Sequence, residues 1–328
     1  MKAKKILSVS LALLALLSCV ILASCQKKEL SEVSVGVISG PTGVGAVSLM
    51  EKASLGQTEG KYRFSLAADQ EDAKAKFLNG EFDIVAMPTN LAAALYAKGE
   101  DIVVLNVNTY GVLYILDATG EINDISDLSG KTIYTTGQGS NPEYILKYIL
   151  EANVVENVNI EFKDASEISA SMASGKIDIA MLPQPVATAT VIQAKNNGLT
   201  INTVIDMTAE WERVASESAL MMGCMVTTKT FLNEHEDEVN KFLSEYEASI
   251  KAVMADVETA ASLCEKHGIL PKAAIAKQAI PKCNLCFVTG YDMKQALAGY
   301  LDVLYEADPR AIGGDMPSDD FYYMGYEK

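Results

Sequence analysis

A chain of 328 residues, 49% hydrophobic and 21% charged, has a globular composition with room for one large core or two ordinary ones, which excludes a disordered chain. A formal charge of −16 at neutral pH excludes nucleic acid as a partner, because such a surface is repelled by phosphate. The only arginines are Arg63, Arg213 and Arg310, so guanidinium forks for gripping carboxylates or sulfonates are scarce.

At the N-terminus Lys2, Lys4 and Lys5 precede an apolar run over 11–17, and Leu22-Ala23-Ser24-Cys25 closes the segment. The order reads as an export signal over 1–24 ending in a sequence that resembles a bacterial lipobox, with Cys25 as the lipidated residue. Serines interrupt the apolar stretch, and small residues precede the cysteine, which argues against a membrane-spanning anchor. Resemblance to bacterial lipoproteins implies acyl chains on Cys25. At about 0.8 kcal/mol per buried methylene, several chains hold a protein durably on the outer, extracytoplasmic face of a cell membrane. Residues 25–32 are then a short polar tether.

From residue 33 the pattern alternates: strand 33–38, the loop Ser39-Gly40-Pro41-Thr42, helix 43–53, strand 62–67, helix 69–79, strand 82–86 and helix 90–97. Alternation of this kind predicts a parallel sheet with right-handed crossovers. A β-like stretch over 102–116, interrupted at 108–111, leads to a second unit of the same kind. That unit has strand 132–135, the loop Gly137-Gln138-Gly139-Ser140, helix 142–152, strand 159–162, helix 166–174, strand 177–181 and helix 184–196. A second apolar crossing over 218–227 returns the chain, followed by helices over 236–254, 259–267 and 272–280, a strand near Phe287, and a helix over 292–306 stopped before Pro309.

One phrase occurs twice. Gly80-Glu81-Phe82-Asp83-Ile84-Val85-Ala86-Met87-Pro88 returns 95 residues later as Gly175-Lys176-Ile177-Asp178-Ile179-Ala180-Met181-Leu182-Pro183. Each copy follows a β-rich run that ends in a glycine-containing loop. Two similar α/β units imply two lobes facing each other across a cleft. We expect a discontinuous first lobe, 33–109 with 225–328, and a second lobe over 110–224, joined by a hinge of two crossings.

Ligands of open parallel sheets sit beyond the carboxyl ends of the strands. Four handovers from strand to helix carry suitable chemistry here: Gly40, Pro41 and Thr42; Thr89 and Asn90; Gln138, Gly139, Ser140 and Asn141 ahead of Pro142; and Gln184 ahead of Pro185. Amides at helix starts favour an anion or an electron-rich polar group. Ordinary helix capping is the better account of any one of these loops taken alone, so the expectation rests on four in symmetric places. Tyr110 and Trp211 are candidates for aromatic packing against the ligand; Trp211 and Arg213 lie near the second crossing, where they either enter the cleft or serve the fold.

Cys264, His267, Cys283 and Cys286 follow a C-x2-H-x15-C-x2-C spacing close to that of structural zinc sites. A disulfide among the three cysteines and plain buried thiols are the alternatives, and the sequence leaves all three open; neither a metal nor a cofactor enters our expected site. Enzymatic readings have little to stand on. His235 and His267 are the only histidines, both in polar helical settings, and Gly130-Lys131-Thr132 resembles the end of a phosphate-binding loop whose first glycine position holds Ile125.

The runs Ser39 to Gly43, Asn79 to Asn90, and Asp127-Leu128-Ser129-Gly130-Lys131-Thr132 onward through Ser140 resemble the solute-binding lipoproteins of ABC importers. The similarity points to the nitrate, sulfonate, taurine and thiamine-precursor branch, the SsuA/THI5-like or NMT1 family. It implies the type II periplasmic-binding-protein fold, a monomer with a polar or anionic small-molecule ligand in the cleft, and an ABC permease with its ATPase as partners. A sensory lipoprotein that presents ligand to a receptor is the alternative.

Overall fold

Two mixed sheets organise residues 32–215 and 218–326, which this computed structural model describes. The signal segment 1–24, the lipidation candidate Cys25 and the tether up to residue 31 lie outside the described residues. The first sheet takes β1 (Val33–Ile38), β2 (Tyr62–Ala67), β3 (Ile84–Pro88), β4 (Val103–Thr109), β10 (Gly223–Thr227) and β11 (Leu285–Val288) in the order β11-β4-β10-β3-β1-β2. The second takes β5 (Leu113–Asp117), β6 (Thr132–Thr135), β7 (Asn159–Phe162), β8 (Ile179–Pro183) and β9 (Asn202–Asp206) in the order β7-β6-β8-β5-β9. Burial follows strand position. Every residue of β1, β4, β5 and β10 is buried, as expected of strands covered on both faces by helices, whereas the edge strands β2, β7, β9 and β11 are only partly covered.

The sheets are not wholly parallel, contrary to the reading from alternation. β1 pairs in parallel with β2 and β3, and β6 with β7 and β8, but β10 runs antiparallel to β3 and β4, and β5 antiparallel to β8 and β9. The reason is topological: each crossing delivers its strand from the cleft side, so it enters the receiving sheet against the local direction. The second crossing is also shorter than expected. Strand β9 and a helix over Met207–Val214 precede it, and half-exposed β9 lacks the alternation that would have announced it.

The repeated phrase has a physical meaning. Helices Gln70–Leu78 and Ala165–Ala173 both end in a glycine, Gly80 and Gly175, each at φ 73°. The Gly80 and Glu81 amides donate to the Phe77 and Lys76 carbonyls, each at 2.9 Å; Gly175 and Lys176 repeat this on Met172 and Ser171, again at 2.9 Å. This paired closure requires the left-handed conformation that glycine adopts without strain. The phrase is therefore a capped helix end that feeds a central strand, and its prolines terminate β3 and β8 at the cleft.

One hydrophobic cluster draws on both sheets, including Val85 and Met87 of the first and Ile133 and Met181 of the second. Trp211 lies within it, fully buried, with ring centroids 4.8 Å from Tyr148 and 5.4 Å from Tyr300. Tyr148 belongs to the helix Asn141–Ala152, and Tyr300 to the long C-terminal helix Gly290–Ala307. The first crossing is held by its Gly111 carbonyl, which accepts from Asn284 Nδ2 at 2.7 Å and Thr208 Oγ1 at 3.0 Å.

Candidate functional site

Where the carboxyl ends of β1, β3 and β6 face each other, a cavity of about 330 Å³ opens between the lobes. Of the residues expected there, Pro41, Thr42 and Asn90 line it from the first lobe, and Ser140 and Asn141 from the second. Asn141 Nδ2 donates to Asn90 Oδ1 at 3.0 Å, a direct polar link across the cleft. Asn90 Nδ2 in turn donates to the Ala311 carbonyl at 3.4 Å. Asn141 is 6% exposed, and its Oδ1 is buried without a hydrogen-bond partner.

The other expected residues lie elsewhere for identifiable reasons. The Gly40 amide is spent on the Ile269 carbonyl at 3.1 Å. Thr89 is fully buried, with Oγ1 donating to the Met221 carbonyl at 2.6 Å. Gln138 and Gly139 are exposed to solvent and are not among the residues that line the cavity. Tyr110 packs against the core beside the first crossing. Gln184 is 2% exposed, with Oε1 accepting from Thr188 Oγ1 at 2.7 Å. Trp211 belongs to the core, and its indole N–H donates to Ser218 Oγ at 3.0 Å.

The helix starts are also less available to an anion than the sequence suggests. The Thr89 amide donates to Met222 O at 3.1 Å and the Gln184 amide to Val112 O at 2.9 Å, equivalent bonds in the two halves. At the start of the helix Asn141–Ala152 the Gly139 amide donates to Glu143 Oε2 at 2.7 Å. Burial alone would raise the Glu143 pKa; the Gly139 amide and Lys147 outweigh it and hold the carboxyl below its ordinary value. This carboxylate already answers the positive end of the helix dipole. The first helix, Pro41–Val44, is a single turn.

Sequence reasoning missed Gln70, Thr109, Val112, Thr136, Met222 and Gly223, all of which line the cavity together with Pro88, Gly137 and Pro142. Internal symmetry was the available signal. Pro88 pairs with Gly223 and Pro183 with Leu113, so each repeat proline faces the first residue of an incoming antiparallel strand. Gly223 is needed for space: a Cβ there would lie 2.4 Å from Thr42 Cγ2 and 2.8 Å from Asn108 Oδ1.

Among the described residues no charged side chain lines the cavity. Arg213 pairs with Glu210 at 2.8 Å, and Arg310 with Asp308, whose carboxyl it holds down at about 2. Neither histidine reaches the cavity either: His267 Nε2 lies 2.9 Å from Glu51 Oε2, and His235 packs on the Phe231 ring. Cys264, Cys283 and Cys286 are buried free thiols, as is Cys224. Among the described residues no group of three His, Cys, Asp or Glu side chains is placed to hold a metal.

The model of the NMT1/THI5-like family matches residues 63–260. The chain belongs to the NMT1/THI5-like family. No curated protein matches it. Similar solved structures include an ABC transporter protein from Parabacteroides distasonis, 21% identical, covering 90% of this chain and 100% of that one at a TM-score of 0.77. The periplasmic aliphatic sulphonate binding protein SsuA from Escherichia coli is 15% identical, with 92% and 99% covered and a TM-score of 0.69. The ligand-binding component of an ABC-type import system from Staphylococcus aureus, solved with zinc bound, is 15% identical, with 90% and 98% covered and a TM-score of 0.64. This NMT1/THI5-like chain thus has the periplasmic-binding-protein fold, with two α/β lobes around the cleft.

Proposed function

We propose that this NMT1/THI5-like chain is an extracytoplasmic solute-binding lipoprotein that captures a small polar metabolite between its lobes and delivers it to an ABC permease. The observation that carries the reading is a cavity at the carboxyl ends of the strands, spanned by a hydrogen bond between Asn90 of one lobe and Asn141 of the other. Open α/β sheets place their ligands at this end, and a cavity of about 330 Å³ suits a small metabolite. Similar folds described as an ABC transporter and as the ligand-binding component of an ABC-type import system support the transport role.

In this reading the first lobe, 33–109 with 225–328, and the second, 110–224, move about the two crossings, and solute favours the closed arrangement because only there do both asparagines reach it. The protein acts as a monomer, and acyl chains on Cys25 hold it to the membrane beside the permease and its ATPase. Micromolar affinity requires about 8 kcal/mol in all, within reach of several hydrogen bonds and apolar packing on Pro41, Val112 and Met222. Uptake measurements test the transport role. A host lacking this gene should take up the bound compound several-fold more slowly at micromolar concentration, as should one lacking the permease. Undiminished uptake in the first strain would exclude transport and favour the sensory alternative.

A further inference from the structure

We infer that the solute held in this cleft is an uncharged molecule that donates an N–H or O–H to Asn141, and that anions offering only acceptors, such as sulfonates and nitrate, are rejected; this rests on the solute-binding reading above. The polarity of one hydrogen-bond chain fixes the requirement. The Ala311 carbonyl can only accept, so the 3.4 Å bond turns the Asn90 amide nitrogen toward it and leaves Asn90 Oδ1 facing the second lobe. Asn141 must then present Nδ2 to that oxygen, at 3.0 Å. Its own Oδ1 becomes the end of the chain, buried, unpartnered and on a residue that lines the cavity. A buried acceptor left unmet is costly, and a solute that supplies a donor removes that cost. An anion supplies only lone pairs and would set oxygen against oxygen.

Charge leads to the same conclusion independently. A buried ion is costly without a partner of opposite sign, and among the described residues no charged side chain lines this cavity. The helix start beside it, at Asn141, is already neutralised by Glu143 through the Gly139 amide. The Thr89 and Gln184 amides, which could otherwise have answered an anion, are bonded to Met222 and Val112 carbonyls. Amides, lactams and alcohols of modest size carry the required donor without net charge. The sulphonate named for the Escherichia coli protein does not, so the two cleft chemistries differ within one fold.

The protein, as a soluble form beginning at residue 26, is dialysed to equilibrium against a bacterial small-molecule extract previously divided at pH 7 by anion- and cation-exchange resins into a neutral pool and two charged pools. Compounds retained by the protein are identified by mass spectrometry. A compound bearing N–H or O–H should be retained from the neutral pool, and Asn141→Ala should weaken it by about tenfold with an unchanged circular dichroism spectrum. Methanesulfonate, an anion that offers only acceptors, should not be retained by the parent, and its retention would overturn the inference. Retention from the anionic pool that is lost in Asn141→Ala would overturn the uncharged-solute inference while leaving the cleft as the binding site. Retention from the neutral pool that Asn141→Ala does not alter would overturn the role given to Asn141. Retention from no pool would overturn the solute-binding reading itself.

Discussion

Trp211→Ala is expected to lower stability by about 3–5 kcal/mol, the range for deleting a buried large aromatic side chain. Trp211 is the only tryptophan, is fully buried, and joins three segments: its own helix Met207–Val214, Tyr148 of the second lobe and Tyr300 of the C-terminal helix. Truncation removes both ring contacts and leaves Ser218 without its indole donor. At roughly 1.5–2 °C per kcal/mol for a domain of this size, the melting temperature should fall by on the order of 5–10 °C. Far-UV circular dichroism is the appropriate probe, since the variant has no tryptophan fluorescence. Trp211→Phe, which keeps an aromatic face between the tyrosines, should cost clearly less. Equal melting temperatures for Trp211→Ala and the parent would show that the lobes do not meet through this contact.

The second large effect is expected at Gly223. Gly223→Val should weaken solute binding by at least about tenfold and lower stability by about 1–3 kcal/mol, as overpacking does. The glycine sits at the first position of β10, opposite Pro88, and its missing Cβ is where Thr42 Cγ2 packs, 2.4 Å from an added carbon. A larger residue drives Thr42 into the cavity it lines. The milder Gly223→Ala meets the same methyl, so combining it with Thr42→Ser, which lacks Cγ2, should restore part of the lost binding. The contact at 2.8 Å to Asn108 Oδ1 remains in the double variant and limits the recovery. Calorimetric titration with the retained compound checks both variants. Parental affinity in Gly223→Val would place the solute away from this cleft.

The parts of the fold that were legible in the sequence are those where local chemistry and tertiary position agree. The Gly80 and Gly175 caps, the buried run of β1 and the proline at the start of Asn141–Ala152 each carry their own local signal. The direction of β5 and β10 carries none, because a fully buried strand reads the same whichever way its neighbours run. Site residues divide along the same line. Pro41, Thr42, Asn90, Ser140 and Asn141 sit at the strand-to-helix handovers, in or just before the first turn of each helix, and the structure gathers them. Thr89 and Gln184 are next to such handovers, yet the incoming strands take their amides, and Trp211 is apolar enough for the core to claim it. Met222 and Gly223 were missed for the converse reason: beyond internal symmetry they carry no local signal, and it is the pairing of β10 with β3 that brings Gly223, with Met222 beside it, to the cleft.

The most direct test of a solute held between the lobes is a crystal structure of the protein with its retained compound. We predict density for that compound between Thr42 and Asn141, with a donor atom of the compound within hydrogen-bond distance of Asn141 Oδ1. A compound bound outside the cleft, or a cleft filled only by water while the compound remains bound elsewhere, would contradict this account.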